Sequence, residues 1–211
     1  MAKSVITRVQ QRLVVKMIVK ISTFKIGSEW FSVAYFEDLR LVANSLPSET
    51  PEGARSSLMS SLRSRHVREY LESPPNPQII KEFESALRAK EGSLNLFLGG
   101  LSQFQRDVLC LTSNIPPGRV TTYKNIAIAI KKPNAQRAVG NVLSNNPFPI
   151  IVPCHRVIRS DLQLGGYSGP LGTKTKESLL RREGIRFQNG KVNEKFLLAP
   201  DMLSCRSSLC P

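Results

Sequence analysis

What narrows the fold of this chain most is a change of apolar period close to residue 48. Across residues 13–45 the apolar side chains run in short β-rich stretches, with Met17, Val19 and Ile21 on one face, then residues 30–36, then residues 39–43. Breaks at residues 25–28 and 37–38 separate these stretches, which therefore read as a small antiparallel meander. A Pro/Gly loop occupies residues 48–53. Beyond it Leu58, Leu62, the stretch 67–71, Ile79, Ile80, Phe83 and Leu87 recur at helical spacing, because side chains three or four apart share a helix face. A period of two followed by a period of 3.6 predicts an α+β unit over residues 1–95, closing near residues 91–93. With 41% apolar residues among 211, the chain can bury one large core or two small ones.

A second unit opens with a capping box. Ser102 and Gln105 precede Val108, Leu109 and Leu111, which predicts a helix starting at Ser102 and ending before Pro116-Pro117-Gly118. Residues 123–130 read as a short helix, 131–134 as a turn containing Pro133, and 135–144 as another short helix. That is the outline of a helix-turn-helix, although two short helices about a turn are also ordinary packing. On the second helix Ala135, Ala138 and Gly140 are small enough for close approach to another surface or another helix, and Arg137 is the long cation among them. The fold class expected is α+β: a small N-terminal antiparallel-sheet domain (1–95), a mainly helical domain with a helix-turn-helix (96–190), and a C-terminal tail (191–211).

Charge points the same way. Thirty Lys and Arg against 16 Asp and Glu give +14, which favours a polyanionic partner, nucleic acid or an anionic membrane. Residues 96–190 hold 13 basic and 4 acidic side chains, while residues 1–95 hold 14 and 10, so the surplus concentrates in the second unit. No apolar run reaches the roughly 18 residues of a membrane span, and Lys16 and Lys20 interrupt the early apolar run. A soluble intracellular protein without a membrane partner is expected. Cys110, Cys154, Cys205 and Cys210 lack the spacing of a zinc site or a secreted disulfide framework. Cys205 and Cys210 read as ordinary tail thiols, with a late disulfide as the alternative.

The chemistry is carried by Asn146-Pro147-Phe148-Pro149-Ile150-Ile151-Val152-Pro153-Cys154-His155-Arg156-Val157-Ile158. A thiol attacks carbon as its thiolate, and at an ordinary pKa of about 8.5 only a few per cent is ionised at neutral pH. A base therefore helps. His155 is adjacent, but on a strand successive side chains point apart, so contact with Cys154 requires a turn or a bridging water.

Pro153-Cys154-His155-Arg156-Val157 resembles the O6-alkylguanine-DNA alkyltransferase family, the methylated-DNA–protein-cysteine methyltransferases. Flanking motifs stand in the family's order: Gly118-Arg119-Val120-Thr121-Thr122-Tyr123, Arg137-Ala138-Val139-Gly140, Asn146-Pro147, Gly166-Tyr167-Ser168-Gly169, Lys176, Leu179-Leu180 and Glu183-Gly184. The resemblance spans roughly residues 104–184. It implies direct-reversal repair, in which an alkyl group moves from O6 of guanine, and also O4 of thymine, to Cys154. His155 takes the thiol proton through a water, Glu183 orients His155, the Tyr123 hydroxyl protonates guanine near N3, and Asn146 braces the turn carrying an active-site strand. Against double-stranded DNA the resemblance sets Thr122, Tyr123, Ala135, Arg137, Ala138 and Gly140, with Arg137 filling the space of a flipped nucleotide. It assigns a guanine pocket to Cys154, Val157, Tyr167, Ser168 and Gly169, using the Ser168 N–H and the Cys154 and Val157 carbonyls. It further implies a ribonuclease-H-like front domain, a monomer when free, no cofactor and no metal. The alkylated thiol has no route back, so each molecule acts once.

The chain departs from the family at Pro170, where a second glycine is usual after Gly169, which removes a backbone N–H beside the pocket. A non-catalytic alkyltransferase-like sensor usually lacks the cysteine that Cys154 supplies. A transcriptional regulator presents varied polar residues to major-groove base edges, unlike Ala135, Ala138 and Gly140. For a cysteine hydrolase only His66 remains as a separate histidine base.

Overall fold

The computed structural model describes residues 18–87, 94–167 and 172–204. Met17, the boundary near residues 91–93, Ser168, Gly169, Pro170, Cys205 and Cys210 lie outside the described residues.

The alternating stretches form three strands: β1 (Val19–Ile26), β2 (Glu29–Tyr35) and β3 (Leu41–Asn44). Gly27, at φ 60°, and Ser28 close the β1–β2 hairpin, since two-residue hairpin turns need positive φ and glycine adopts it freely. The register sets Phe24 opposite Phe31 and Ile21 opposite Ala34, so the two faces receive different side chains. On one face Val19, Ile21, Ala34, Phe36 and Val42 pack with Leu58 and Leu62. These belong to α1 (Pro51–Ser64), which is capped by Thr50, whose hydroxyl accepts from Gly53 N. On the other face Phe24 and Phe31 meet Phe83 of α2 (Pro77–Leu87), with ring centroids 6.0 and 5.2 Å from it.

Between these helices residues 67–71 do not continue a helix. Tyr70–Glu72 forms β4, which pairs in parallel with β1, and the sheet order is β3-β2-β1-β4. His66, at φ 58°, turns the chain out of α1, and a three-residue edge strand carries too little alternation to show in the sequence.

The second half begins with α3 (Gln103–Ser113), where Ser102 and Gln105 form both hydrogen bonds of the capping box. After the short β5 (Thr121–Thr122) come α4 (Tyr123–Ala129) and α5 (Gln136–Ser144), then β6 (Val157–Ile158), which pairs in parallel with β5. α6 (Thr173–Arg182) and the hairpin of β7 (Phe187–Gln188) and β8 (Lys191–Val192) follow. The core of α3, α4 and α5 is continuous with the Phe24–Phe31 face of the sheet. The architecture is a mixed α+β fold with a small four-stranded sheet, two two-stranded pairs and several helices among the described residues.

Residues 191–204 are not a loose tail. Val120 N donates to Phe196 O (2.9 Å) and Leu198 N to Val120 O (2.8 Å), and the Thr121 hydroxyl and Asn125 Nδ2 both donate to Leu198 O. This segment therefore holds the entry to α4. Among the described residues no helix is long and apolar enough to cross a membrane.

Candidate active site

Cys154 does not sit on a strand. Cys154–Arg156 is a single 3-10 turn entered from Pro153, with Arg156 N donating to Pro153 O (2.9 Å) and Val157 N to Cys154 O. At three residues per turn neighbouring side chains diverge by about 120° rather than pointing oppositely, so Cys154 lines a cavity while His155 and Arg156 turn inward. The loop before it is held from two directions. Asn146 Nδ2 donates to Val152 O (2.9 Å) and its Oδ1 accepts from Phe148 N (3.0 Å). From β3, Asn44 N donates to Pro147 O (2.9 Å) and Nδ2 to Pro149 O (2.8 Å). Within the loop Ile150 is forced to φ 76°, a region that a β-branched residue occupies only when its surroundings impose it.

Glu183 is the hub. It caps the C-terminus of α6, an unfavourable end for an acid, because cations hold it there. Arg156 donates from Nε (3.0 Å to both oxygens) and Nη2 (2.7 Å), and its Nη1 donates to Ile115 O. His155 Nε2 lies 2.8 Å from Glu183 Oε1. Burial alone would raise the Glu183 carboxyl, but the His155 and Arg156 contacts outweigh it and hold it at about 2. Burial pushes the His155 pKa down, against the pull of Glu183. The imidazole is thus neutral with its proton on Nε2 facing the carboxylate, and Nδ1, buried and without a hydrogen-bond partner, keeps a free lone pair.

Around the thiol, burial raises the Cys154 pKa above its ordinary value, while the Asn146 side chain and the Lys176 charge work against that rise. Lys176 is wholly buried, donates from Nζ to Val157 O (2.6 Å) and Leu164 O (2.8 Å), and lies 5.6 Å from the Tyr123 ring centre. Burial brings Lys176 down to about 8, and burial with the neighbouring Cys154 charge pushes Tyr123 up to about 12. Tyr123 and Tyr167 line the cavity beside Cys154, and the buried Tyr167 hydroxyl interacts with the Cys154 sulfur, which works against the rise of the thiol pKa. Among the described cysteines Cys154 is the free thiol, and Cys110 is disulfide-bonded.

The sequence-predicted residues divide into two groups. Cys154, His155, Glu183, Tyr123, Asn146, Val157 and Tyr167 converge. The Val157 and Cys154 carbonyls each already accept one hydrogen bond, which leaves each a second lone pair. On the α4–α5 side Arg137 and Ala138 are exposed, Ala135 and Gly140 half-buried. Thr122 is buried, and its hydroxyl accepts from Asn125 N to cap α4. Gly140 lies where a Cβ would stand 3.9 Å from the Tyr123 ring. Arg156 and Lys176 were not singled out as site residues. The signal available for Arg156 was its place in Pro-Cys-His-Arg, but nothing local shows that it reaches Glu183.

The pattern of the 6-O-methylguanine DNA methyltransferase DNA binding domain matches residues 103–185. A methylated-DNA–protein-cysteine methyltransferase of Methanothermobacter thermautotrophicus is 37% identical over 129 residues, covering 58% of this chain and 71% of that protein. One from Rattus norvegicus is 47% identical over 83 residues, covering 39% of each. Among solved structures, Mycobacterium tuberculosis OGT in complex with DNA superposes with a TM-score of 0.61 at 27% identity, covering 78% of this chain and 92% of that one. The O6-methylguanine-DNA methyltransferase of Pyrococcus kodakaraensis superposes with a TM-score of 0.60 at 27% identity, covering 80% and 100%. With a buried free cysteine beside a Glu183-held histidine, and with 37% identity to the Methanothermobacter protein over 71% of that protein, the chain belongs to the methylated-DNA–protein-cysteine methyltransferase family.

Proposed function

We propose that Cys154 is the acceptor of the repair reaction, taking an alkyl group from O6 of guanine, or O4 of thymine, in double-stranded DNA. The observation that carries this reading is the free Cys154 in a cavity wall next to a histidine whose Nε2 is held by Glu183 at 2.8 Å and whose Nδ1 is unpartnered. Cys154 is a thiol at rest, because burial disfavours the anion. As a base approaches, His155 Nδ1 accepts the thiol proton through a water, and Glu183 stabilises the resulting imidazolium. The sulfur attacks the alkyl carbon in line as the carbon–oxygen bond breaks. Guanine leaves with that electron pair and takes a proton from the Tyr123 hydroxyl, which burial keeps protonated. A positioned acid or base of this kind contributes about 10²–10⁴-fold. Lys176 favours the developing thiolate through its charge.

α4 and α5 act as a helix-turn-helix against the minor groove. The damaged nucleotide is extruded at a cost of a few kcal/mol, and Arg137, exposed on α5 and in no ion pair among the described residues, fills its place. Ala138 and Gly140 allow the close approach. Ser168 and Gly169 complete the guanine pocket. The four-stranded sheet, with β4 joining β1 in parallel after α1, is of the ribonuclease-H-like kind, and the two units divide near residue 95. The protein works as a cytoplasmic monomer, or a nuclear one in a eukaryote.

Cys154→Ala tests the assignment. It should abolish transfer of labelled alkyl groups from duplex DNA while retaining DNA affinity, because phosphate contacts supply most of the binding. Labelled protein recovered from that variant would overturn it.

A further inference from the structure

The loop that delivers Cys154 is poor in donors of its own, because Pro147, Pro149 and Pro153 have no backbone N–H. Val152 N donating to Phe148 O and Cys154 N to Val152 O, both at 2.8 Å, close its turn. Inside that turn Ile150 stands at φ 76°, a conformation that the surroundings must impose. Rotation about the Ile150 N–Cα bond turns the Pro149–Ile150 peptide plane, so the direction of the Pro149 carbonyl and the φ of Ile150 are set together. That carbonyl is gripped from the front half. Asn44, the last residue of β3, donates from Nδ2 to Pro149 O (2.8 Å) and Ser45 O (3.0 Å), and from its backbone N to Pro147 O (2.9 Å). Between the two gripped prolines Phe148 is fully buried, with the Arg65 guanidinium 5.7 Å from its ring centre. Asn44 lines the same cavity as Cys154.

An asparagine is a poor choice for the sheet itself. The rest of β3 is Leu41, Val42 and Ala43, all buried and apolar, and asparagine is depleted in strands. Asn44 is 2% exposed and its Oδ1 has no hydrogen-bond partner. The amide cannot turn over to relieve this, because Oδ1 would then face the Pro149 and Ser45 carbonyl oxygens. A buried acceptor left unmade is unfavourable, and a leucine of similar volume would remove it. The neighbouring Ser45, also fully buried, does serve the sheet, since its hydroxyl accepts from Ser32 N (2.9 Å). Asn44 instead directs its side-chain donor to a loop 105 residues away along the chain.

We infer that Asn44 is a positioning residue for alkyl transfer: through Pro149 O it fixes the turn that sets the Cys154 sulfur on its line of attack. This inference rests on the reading of Cys154 as acceptor. Sulfur, carbon and oxygen stand in line in the transition state, and misplacing a reacting atom by ~1 Å can slow a reaction about 10²-fold. The backbone bond to Pro147 O survives replacement of the Asn44 side chain by leucine or alanine. The loop then stays attached to β3 and loses only the hold nearer to Cys154.

The test measures single-turnover transfer from a duplex carrying O6-methylguanine, whose rate constant counts active molecules alone and does not fall when part of a sample is unfolded. Asn44→Leu keeps the volume and removes both the donor and the unsatisfied acceptor. Its maximal rate should fall about ten- to a hundredfold, while the half-saturating duplex concentration stays within about twofold, because the DNA-facing surface is untouched. Alkylation of the Cys154 thiol by iodoacetamide, which needs no fixed approach, should not slow. Ser45→Ala, a change at an equally buried neighbour, should leave the maximal rate within about twofold. Asn44→Ala should repeat the leucine pattern, and it decides the matter if the leucine variant fails to fold. A maximal rate within about twofold of the unaltered protein, or a raised half-saturating concentration with the maximal rate held, would overturn the positioning role. Iodoacetamide alkylation slowed as much as transfer, or an equal slowing by Ser45→Ala, would overturn it too. Absence of methyl transfer by the unaltered protein would instead strike the reading of Cys154.

Discussion

The two halves of the molecule bury different kinds of polar group. Under the front sheet the buried polar side chains among the described residues are Ser22, Ser32, Asn44 and Ser45, all neutral. In the second half they include His155, Arg156 and Lys176. Each ionised group taken out of water costs several kcal/mol unless it is paired with good geometry. The front half carries less of that cost: Arg65 is half-buried, its pKa is lowered by burial and its Nη2 donates to the Phe97 and Gly99 carbonyls, but none of its charged side chains among the described residues is fully buried. The difference teaches that the interior charge of the second half is arranged around the sulfur: Arg156 and His155 fix Glu183, and Lys176 faces Cys154 through its charge.

The sharpest way to break this contrast is Glu183→Ala. It leaves Arg156 buried and unpaired, with an expected loss of about 3–5 kcal/mol in stability, and it frees His155, lowering single-turnover transfer by roughly 10²-fold or more. Transfer within about threefold of the unaltered protein would dissociate Glu183 from the chemistry. Phe83→Ala is the counterpart in the front half. Phe83 is fully buried against Phe24 and Phe31, so urea denaturation should register a loss of about 3–5 kcal/mol, with the transfer rate per folded molecule unchanged. A rate that falls while the unfolding midpoint holds would erase the division of labour.

A smaller effect separates the halves by pH. The Glu183 carboxyl is held at about 2 in the folded protein, below its ordinary 4.5. A depressed acid contributes stability that is fully present above its unfolded pKa and is lost as pH falls through the folded one. Unfolding measured between pH 5 and 2 should therefore show a loss of about 3 kcal/mol attributable to this group, absent in Glu183→Gln. A matching acid loss in that variant would assign the effect elsewhere.

The sequence exposed these regions unevenly. Strands β1 and β2 and helix α1 were legible because a half-buried strand and a one-sided helix each impose a period on their apolar residues. The Ser102–Gln105 capping box was legible because both its partners lie within one turn. Tyr70–Glu72 was misread as helical, since it is exposed and exists only through pairing with β1. Residues 191–204 read as a tail because their docking rests on backbone bonds to Val120 and on side-chain bonds from Thr121 and Asn125 to Leu198 O, which no local pattern announces. At the site, Cys154, His155 and Glu183 were found through ordered motifs. The 3-10 turn that separates their side chains, and the reach of Arg156 and Lys176, depend on contacts between residues far apart in the chain.

The central claim is that Cys154 accepts one alkyl group and keeps it. Mixing the protein with excess O6-alkylguanine duplex, counting alkyl groups transferred and mapping the adduct by peptide mass tests it directly. The expected result is a burst equal to the concentration of active protein, followed by no further repair, with the added mass on the peptide containing Cys154. Product that continues past that amplitude, or an adduct on a peptide lacking Cys154, would contradict it.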